Sequence, residues 1–195
     1  MGRRATEFVN GEYYHIYNRG CSALRICFGG RNYDLLYERI ERYADRFGIQ
    51  IVASCLMPNH YHLLLRPDGE SSISTFAQRT FNSYVKALNR SIARTGTLFE
   101  GPFKSRHVAD EEYLVHLMRY IHRNPLEGGL VSRIEEWPYS NYLECAGLRR
   151  TRVFDGGFIL ERFGGFRGYR RYVTGSPVIL PEHRAELEEL TRILA

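Results

Sequence analysis

The chain has 195 residues and a mass of 22.7 kDa, which is enough for one ordinary domain with a helical appendage and excludes a long multidomain protein. Its hydrophobic fraction of 44% and charged fraction of 25% are typical of a globular protein. The apolar stretches are far shorter than the ~20 residues of a membrane-spanning helix, so we expect a cytoplasmic protein with no membrane segment. A net charge of +5 with 14 Tyr and 11 Phe suits a partner that offers a phosphate backbone and stackable bases.

A strand followed by a helix is predicted at the start of the chain. Apolar or aromatic residues alternate with polar ones over Tyr13–Arg19, and Gly20 ends the pattern. Apolar residues then recur at helical spacing over residues 33–47. Gly48 follows this run and supplies a stop signal for the helix.

A β-hairpin and a second helix are predicted next. Ile49–Leu56 is rich in β-branched and apolar residues, and residues 60–66 resume an extended pattern. Pro58 and Asn59 lie between the two segments and are typical of a turn. Apolar residues at helical spacing over residues 74–93 indicate the helix.

An extended segment and a third helix follow. Residues 97–108 are predicted to be extended or looped. Asp110 precedes two glutamates and the apolar run of residues 113–122, which predicts a helix with an acidic first turn. Asn124 and Pro125 are predicted to end it, because the residue before a proline disfavours helical geometry.

Together these elements predict an α/β (α+β) fold in which helices pack on one face of an antiparallel sheet. Residues 162–172 are enriched in Arg, Gly and aromatic residues, which is compatible with a strand-binding segment but favours a glycine loop followed by a short basic helix. After Pro181, apolar residues at helical spacing predict a packing helix.

Two histidines in the predicted hairpin form the sharpest local feature. Side chains alternate along a strand, so His60 and His62 project from one face while Tyr61 points to the other. Two imidazoles on one face can hold one metal ion. The alternative is that the two histidines are ordinary surface residues of a half-exposed strand. His15 could extend the polar face next to the pair, with a satisfied structural histidine as the alternative. Four other histidines are not expected to be ligands: His107, His116, His122 and His183.

A phenol and a carboxamide share one face of the third helix. Tyr120 and Asn124 are four residues apart, and residues at that spacing are neighbours on a helix. The carboxamide oxygen can bind a metal ion, and an ion that also contacts a phosphate oxygen would polarise the phosphorus beside the phenol. The alternative for Tyr120 is an aromatic residue of the core.

Five sequence blocks carry a resemblance to a known family. They are residues 14–20 (YHIYNRG), 55–62 (CLMPNHYH), 96–105 (GTLFEGPFKS), 120–125 (YIHRNP) and 137–140 (WPYS). In this order and spacing, the chain resembles the REP-associated tyrosine transposases of the single-tyrosine HUH (His-hydrophobic-His) superfamily. The resemblance covers about residues 8–145. It implies a transposase domain over residues 1–145 and a C-terminal basic and helical extension over 146–195.

The resemblance implies a ferredoxin- or RRM-like sheet and a set of site residues. Tyr120 matches the nucleophile, His60 and His62 match the metal-binding pair, and Asn124 matches the polar residue that completes the metal site. Mg²⁺ or Mn²⁺ is the expected ion, because imidazole and carboxamide ligands suit either. Tyr61 occupies the position between the histidines where aliphatic residues are usual, which places a second phenol near the site.

The activity implied by the resemblance is that of a single-stranded DNA endonuclease and strand transferase. Such an enzyme cleaves and rejoins DNA that contains a REP-like hairpin, through a 5′-phosphotyrosine intermediate. A monomer is favoured over a dimer. Basic residues in or beside the matching blocks are predicted to contact the DNA backbone, with ordinary surface charge as the alternative. They are Arg19, Lys104, Arg106, Arg119 and Arg123.

Two other functions compete with this one. The first is a single-stranded nucleic-acid-binding module of the same fold without catalysis, which the intact set of site residues disfavours. The second is a simple metal phosphohydrolase. That function explains His60 and His62 but leaves Tyr120 without a role.

Overall fold

A four-stranded antiparallel sheet forms the centre of the protein. The computed structural model describes residues 7–69, 72–150 and 157–194. The strands follow the order β2-β3-β1-β4 across the sheet. Their bounds are β1 Tyr13–Arg19, β2 Ile49–Leu56, β3 His60–Pro67 and β4 Lys104–Val108. The predicted hairpin is confirmed, because β2 pairs with β3 across the turn at Pro58 and Asn59.

Helices connect β1 to β2 and β3 to β4, and further helices follow β4 along the chain. The long ones are α1 Gly30–Phe47, α2 Ile73–Ser91 and α3 Glu111–Glu127. The later ones are α4 Tyr142–Cys145, α5 Gly157–Phe163, α6 Phe166–Thr174 and α7 Pro181–Leu194. Within the three described ranges, none of these helices combines the length and the apolar character needed to cross a bilayer.

The register between β1 and β3 decides which side chains share a face of the sheet. Tyr17 lies opposite His62, and the alternation of side chains sends His60 and His62 to the same face. Tyr61 projects from the other face, where it is fully buried and stacks on Phe81 with ring centroids 4.2 Å apart. The prediction that Tyr61 faces away from the histidine pair is therefore confirmed.

Helices cover both faces of the sheet. The face with Tyr61 packs against α1 and α2, as the sequence predicted. The face with His62 packs against α3 and the C-terminal helices, which the prediction of helices on one face did not include. The reason is visible in β2, where residues 51–56 are all buried, because a strand buried on both faces needs apolar residues at every position instead of at alternate ones.

Residues 139–141 cover the outer edge of β2. The Leu56 N–H donates to the Tyr139 carbonyl at 2.9 Å, and the Ser54 N–H donates to Asn141 Oδ1 at 2.6 Å. An uncovered strand edge would expose backbone groups that invite pairing with other chains. The block at residues 137–140 is thus part of the edge of the sheet.

Helix α3 begins as predicted and ends later than predicted. The Asp110 carboxylate accepts a hydrogen bond from the Tyr113 N–H at 2.5 Å, which caps the helix. The predicted stop at Asn124 and Pro125 is wrong, since the helix continues to Glu127. A proline lacks only its own backbone donor, and the helical bonding continues past it to the Gly128 N–H, which donates to the Asn124 carbonyl at 2.8 Å.

The C-terminal extension packs on α3. Gly164 and Gly165 separate α5 from α6 with φ of 65° and 104°, a conformation that favours glycine, so the predicted glycine loop and basic helix are present. The apolar residues of α7 are buried, which confirms the predicted packing helix; they are Leu187, Leu190 and Leu194. The division of the chain at residue 145 stays a prediction.

Candidate active site

His60 and His62 lie side by side where β3 begins. Their ring centroids are 5.1 Å apart and the rings are perpendicular. His60 is 8% exposed, whereas His62 is fully buried between the sheet and α3. Strand β3 therefore places the His60 imidazole at the surface of the site and the His62 imidazole behind it.

The hydrogen bonds of His60 leave one of its ring nitrogens with a lone pair. Nδ1 lies 2.8 Å from Asn59 Oδ1, and since a carboxamide oxygen only accepts, the proton of the neutral ring belongs on Nδ1. Nε2 then carries no proton. It lies 3.4 Å from Asn124 Oδ1, so both of these atoms are hydrogen-bond acceptors. The Asn124 amide is held in this orientation because its Nδ2 donates to the Tyr120 carbonyl at 3.2 Å.

His15 contacts the His62 imidazole and holds it in place. Its Nε2 lies 3.0 Å from Nδ1 of His62, and the two rings stack with centroids 5.2 Å apart. His62 Nε2 is buried and has no hydrogen-bond partner among the described residues. When His62 donates its Nδ1 proton to His15, this Nε2 carries a free lone pair.

These donors fit a divalent cation. Two imidazole nitrogens and a carboxamide oxygen form a plausible ligand set, and imidazole binds metals in its neutral form. Burial lowers the pKa of His60 to about 4 and that of His15 to about 3. Burial, with smaller contributions from the neighbouring histidines, also holds the pKa of His62 well below its usual value. All three rings are therefore neutral at neutral pH.

Tyr120 lies beside the histidine pair. Its ring meets the His62 ring at 87° with centroids 5.5 Å apart, and the residue is 9% exposed. The Thr191 hydroxyl lies 3.2 Å from the phenolic oxygen and 3.0 Å from the Leu187 carbonyl. Burial raises the pKa of Tyr120, and smaller effects of the hydrogen bonds with Thr191 and Asn124 oppose that rise. The phenol is therefore protonated at neutral pH and must lose its proton before it acts as a nucleophile.

One cleft of about 300 Å³ joins these groups. It lies between the start of β3, the end of α3 and the end of α7. Its polar lining is made by Asn59, His60, Tyr120, Asn124, Glu127 and Thr191. His62 lies behind this lining, against the Tyr120 ring. The structure thus brings the predicted nucleophile and the predicted metal ligands together in one place.

The basic residues on the strands face the same side as the histidine pair. Arg19, Lys104 and Arg106 project from this face by alternation along β1 and β4. Arg19 pairs with Glu100 and Arg106 pairs with Glu186, each with an N–O distance of 2.5 Å, whereas Lys104 is exposed. Two of the three charges are therefore already balanced within the protein.

The basic residues on α3 bind the C-terminal extension. Arg119 donates to the Gly175 carbonyl at 2.8 Å. Arg123 donates to the Val173 carbonyl at 3.3 Å and pairs with Glu127 at 2.9 Å. Both guanidinium groups thus have partners inside the protein, and their contact with DNA stays a prediction.

Asn59 and Thr191 had no assigned role in the sequence, and for His15 the sequence predicted only an extension of the polar face or a structural histidine. Asn59 adjoins His60 inside a matching block, so its position was a usable signal. His15 shares the face of the pair only through the pairing of β1 with β3, which depends on register. Thr191 carries no local signal, because its contact with Tyr120 arises from the packing of α7 on α3.

Comparisons with known proteins show the family and the fold of the chain. The family model described as "Transposase IS200 like" matches residues 9–124. A protein from Haemophilus influenzae named as a putative REP-associated tyrosine transposase is 24% identical over 108 residues, which are 50% of this chain and 61% of that protein. A solved structure of a REP-associated tyrosine transposase bound to a REP hairpin has a TM-score of 0.64 and 18% identity, and the match covers 80% of this chain and 94% of the other. That likeness shows the fold.

Proposed function

We propose that this chain, which belongs to the IS200-like transposase family, cleaves single-stranded DNA at a hairpin and rejoins the strands through Tyr120. The observation that carries the proposal is the placement of the Tyr120 phenol against His62, in a cleft where His60 Nε2 and Asn124 Oδ1 face each other as acceptors. Two acceptors 3.4 Å apart repel unless a cation lies near them. The proposed nucleophile therefore lies next to the position where a cation would polarise the phosphate.

The reaction is a transfer of the phosphoryl group to tyrosine. The phenolic oxygen of Tyr120 attacks the phosphorus, and an O–P bond forms while the bond from phosphorus to the 3′ oxygen breaks. The 3′ oxygen takes up a proton and leaves as a hydroxyl, and the 5′ end stays on the enzyme as a phosphotyrosine. Attack by a 3′ hydroxyl reverses the step and joins two strands, with the phenol recovering its proton.

His60, His62 and Asn124 would hold the divalent ion, for which we propose Mg²⁺ or Mn²⁺. When bound, the ion supplies a positive charge that stabilises the developing charge on a non-bridging phosphate oxygen. The surrounding residues orient the ligands: Asn59 fixes the proton of His60 and His15 fixes that of His62. Such outer contacts hold metal-binding imidazoles in the correct tautomer.

We propose a REP-like hairpin as the DNA substrate, by analogy with the relative that was solved bound to one. Lys104 is exposed on the face of the sheet that carries the histidines, where it can meet a phosphate backbone. Because the proposed substrate is DNA, we place the protein in the cytoplasm.

A monomer suffices for the proposed reaction. Tyr120 and Asn124 on α3 meet His60 and His62 on β3 within one chain, so the site needs no residue from a second copy. We therefore propose that the protein acts alone. Size-exclusion chromatography with light scattering tests this, and a stable dimer would contradict it.

A denaturing gel tests the proposed activity. The protein is incubated with a labelled hairpin oligonucleotide and Mn²⁺ or Mg²⁺, and we expect a covalent protein–DNA adduct that Tyr120→Phe abolishes. The matched control is Tyr61→Phe, because Tyr61 lies on the opposite face of the sheet. If the wild type binds the hairpin without forming an adduct, the protein is a binding module. If Tyr120→Phe cleaves as well as the wild type, it is a phosphohydrolase.

A further inference from the structure

We propose that Glu112, His116 and His183 form a second metal site, of the zinc type, which joins α7 to α3. One ligand atom from each of the three residues lies within 4.8 Å of the others. The group shares no residue with the site at His60, His62 and Asn124. His116 and His183 were not expected to be ligands. They are 67 positions apart along the chain, and the packing of α7 on α3 brings them together.

The unpartnered nitrogen of His116 is the first observation that points to a ligand. The residue is 4% exposed, and its Nδ1 lies 2.7 Å from the Tyr172 hydroxyl. Its Nε2 is buried without a hydrogen-bond partner in the described part of the chain. A buried polar atom without a partner is costly, and an ion would satisfy it. Since a hydroxyl can accept the Nδ1 proton, Nε2 is free to carry the lone pair.

The distance from His116 to Glu112 suits a shared ion. Nε2 of His116 lies 3.8 Å from Glu112 Oε1, which is too long for a hydrogen bond. Two ligands that each lie ~2.0–2.1 Å from a tetrahedral ion are separated by roughly 3.3 Å, so a small adjustment of the exposed Glu112 side chain closes the site. One helical turn separates the two residues on α3, which explains why they face the same point.

His183 supplies the ligand from α7. Its Nδ1 is buried without a hydrogen-bond partner among the described residues, while its Nε2 lies 3.5 Å from Asp110 Oδ1. The ring centroids of His183 and His116 are 5.9 Å apart. One ring nitrogen of His183 lies within 4.8 Å of the ligand atoms of His116 and Glu112.

The chemistry of the three donors favours Zn²⁺. Two imidazole nitrogens and one carboxylate oxygen are a common zinc ligand set, and a water can complete the tetrahedron. Burial is the main cause that lowers the pKa of His116, which keeps that ring in the neutral form that binds metal. The carboxylate of Glu112 is largely exposed and offers the ion both a negative charge and a route from solvent.

An ion at this site would fasten α7 to the helix that carries Tyr120. The chain otherwise holds α7 by its apolar residues and by surface contacts such as the ion pair of Arg106 with Glu186. The same helix carries Thr191, which contacts the Tyr120 hydroxyl. The proposed ion would therefore act on the part of the extension that meets the candidate active site.

Titration of the metal-free, tag-free full-length protein with Co²⁺ and then Zn²⁺ tests the proposal. We expect the wild type to bind one more tight ion per chain than Glu112→Gln, with visible Co²⁺ absorption that Zn²⁺ displaces. Loss of one ligand should weaken binding at least about tenfold. Glu112→Gln is the main variant because the side chain is exposed and its replacement leaves the packing intact, and His183→Ala should give the same loss.

Two controls separate this site from the candidate active site. His60→Ala should retain the ion, and so should His107→Ala, whose imidazole is exposed and pairs with Glu12. In the His60→Ala background, where the candidate active site has lost a ligand, Zn²⁺ should still raise the melting temperature, and the further change Glu112→Gln should abolish that rise. The proposal is overturned if no ion binds in the micromolar range, or if His60→Ala loses the tight ion while Glu112→Gln keeps it.

Discussion

The Thr191 hydroxyl on α7 lies within hydrogen-bond distance, 3.2 Å, of the phenolic oxygen of Tyr120 on α3. The C-terminal extension therefore contacts the proposed nucleophile directly. The atom in this contact is the one that must approach a phosphorus. The contact opposes the rise in the pKa of Tyr120 that burial causes, and so favours loss of the phenolic proton.

Replacement of Thr191 by valine should slow adduct formation. The hydrogen bond with Thr191 opposes the rise in the pKa of Tyr120 that burial causes, so its loss leaves the phenol harder to deprotonate. A single hydrogen bond contributes about 1 kcal/mol, which corresponds to about fivefold in rate. Thr191→Ser keeps the hydroxyl and should react at the rate of the wild type. The measurement is the rate of covalent adduct formation with a hairpin oligonucleotide, and a faster Thr191→Val variant would mean that the hydroxyl holds the phenol back.

Loss of the His15 side chain should weaken metal binding at the candidate active site. His15 lies 3.0 Å from His62 and orients its ring, and outer contacts of this kind are worth ~10–100-fold in metal affinity. We expect His15→Phe to lose affinity for Mn²⁺ within that range, measured by electron paramagnetic resonance of free Mn²⁺. His15→Gln retains an acceptor oxygen and should recover part of the affinity. Equal affinities in all three proteins would show that His15 has no positioning role.

Acidification should destabilise the folded protein. Burial lowers the pKa from 6.5 to about 3 for His15 and to about 4 for His60 and His122. Between about pH 6.5 and pH 4 the unfolded chain binds protons that the folded chain does not, so the free energy of unfolding falls as the pH falls. Each unit of lowered pKa corresponds to about 1.4 kcal/mol.

Denaturant titrations at several pH values measure this dependence. The free energy of unfolding should be highest near neutral pH and decline through the acidic window. His122→Gln removes one titrating group and should make the decline shallower. A free energy of unfolding that stays constant from pH 7 to pH 4.5 would contradict the prediction.

The hairpin and its two histidines could be predicted because their signals are local. Pro58 and Asn59 mark a turn, and alternation alone places His60 and His62 on one face. The spacing of Tyr120 and Asn124 was equally local, since it follows from the helical repeat. The histidine pair on β3 and Tyr120 on α3 lie close together because the strand order puts β3 in the interior of the sheet, under α3.

The features that could not be predicted depend on long-range packing. The contact of His15 with His62 requires the register between β1 and β3, and that of Thr191 with Tyr120 requires the docking of α7. The late end of α3 has a different cause. Pro125 interrupts only the bonding of its own turn, and burial of that turn against the protein holds the remaining residues in helical geometry.

Mass spectrometry of the covalent adduct tests the central claim most directly. The adduct with a hairpin oligonucleotide is trimmed with nuclease, digested with protease and sequenced by tandem mass spectrometry. We predict a nucleotide joined through its 5′ phosphate to the side chain of Tyr120. A nucleotide attached to Tyr61 or to any other residue, or DNA cleaved by the wild type with no attached nucleotide at all, would contradict the account.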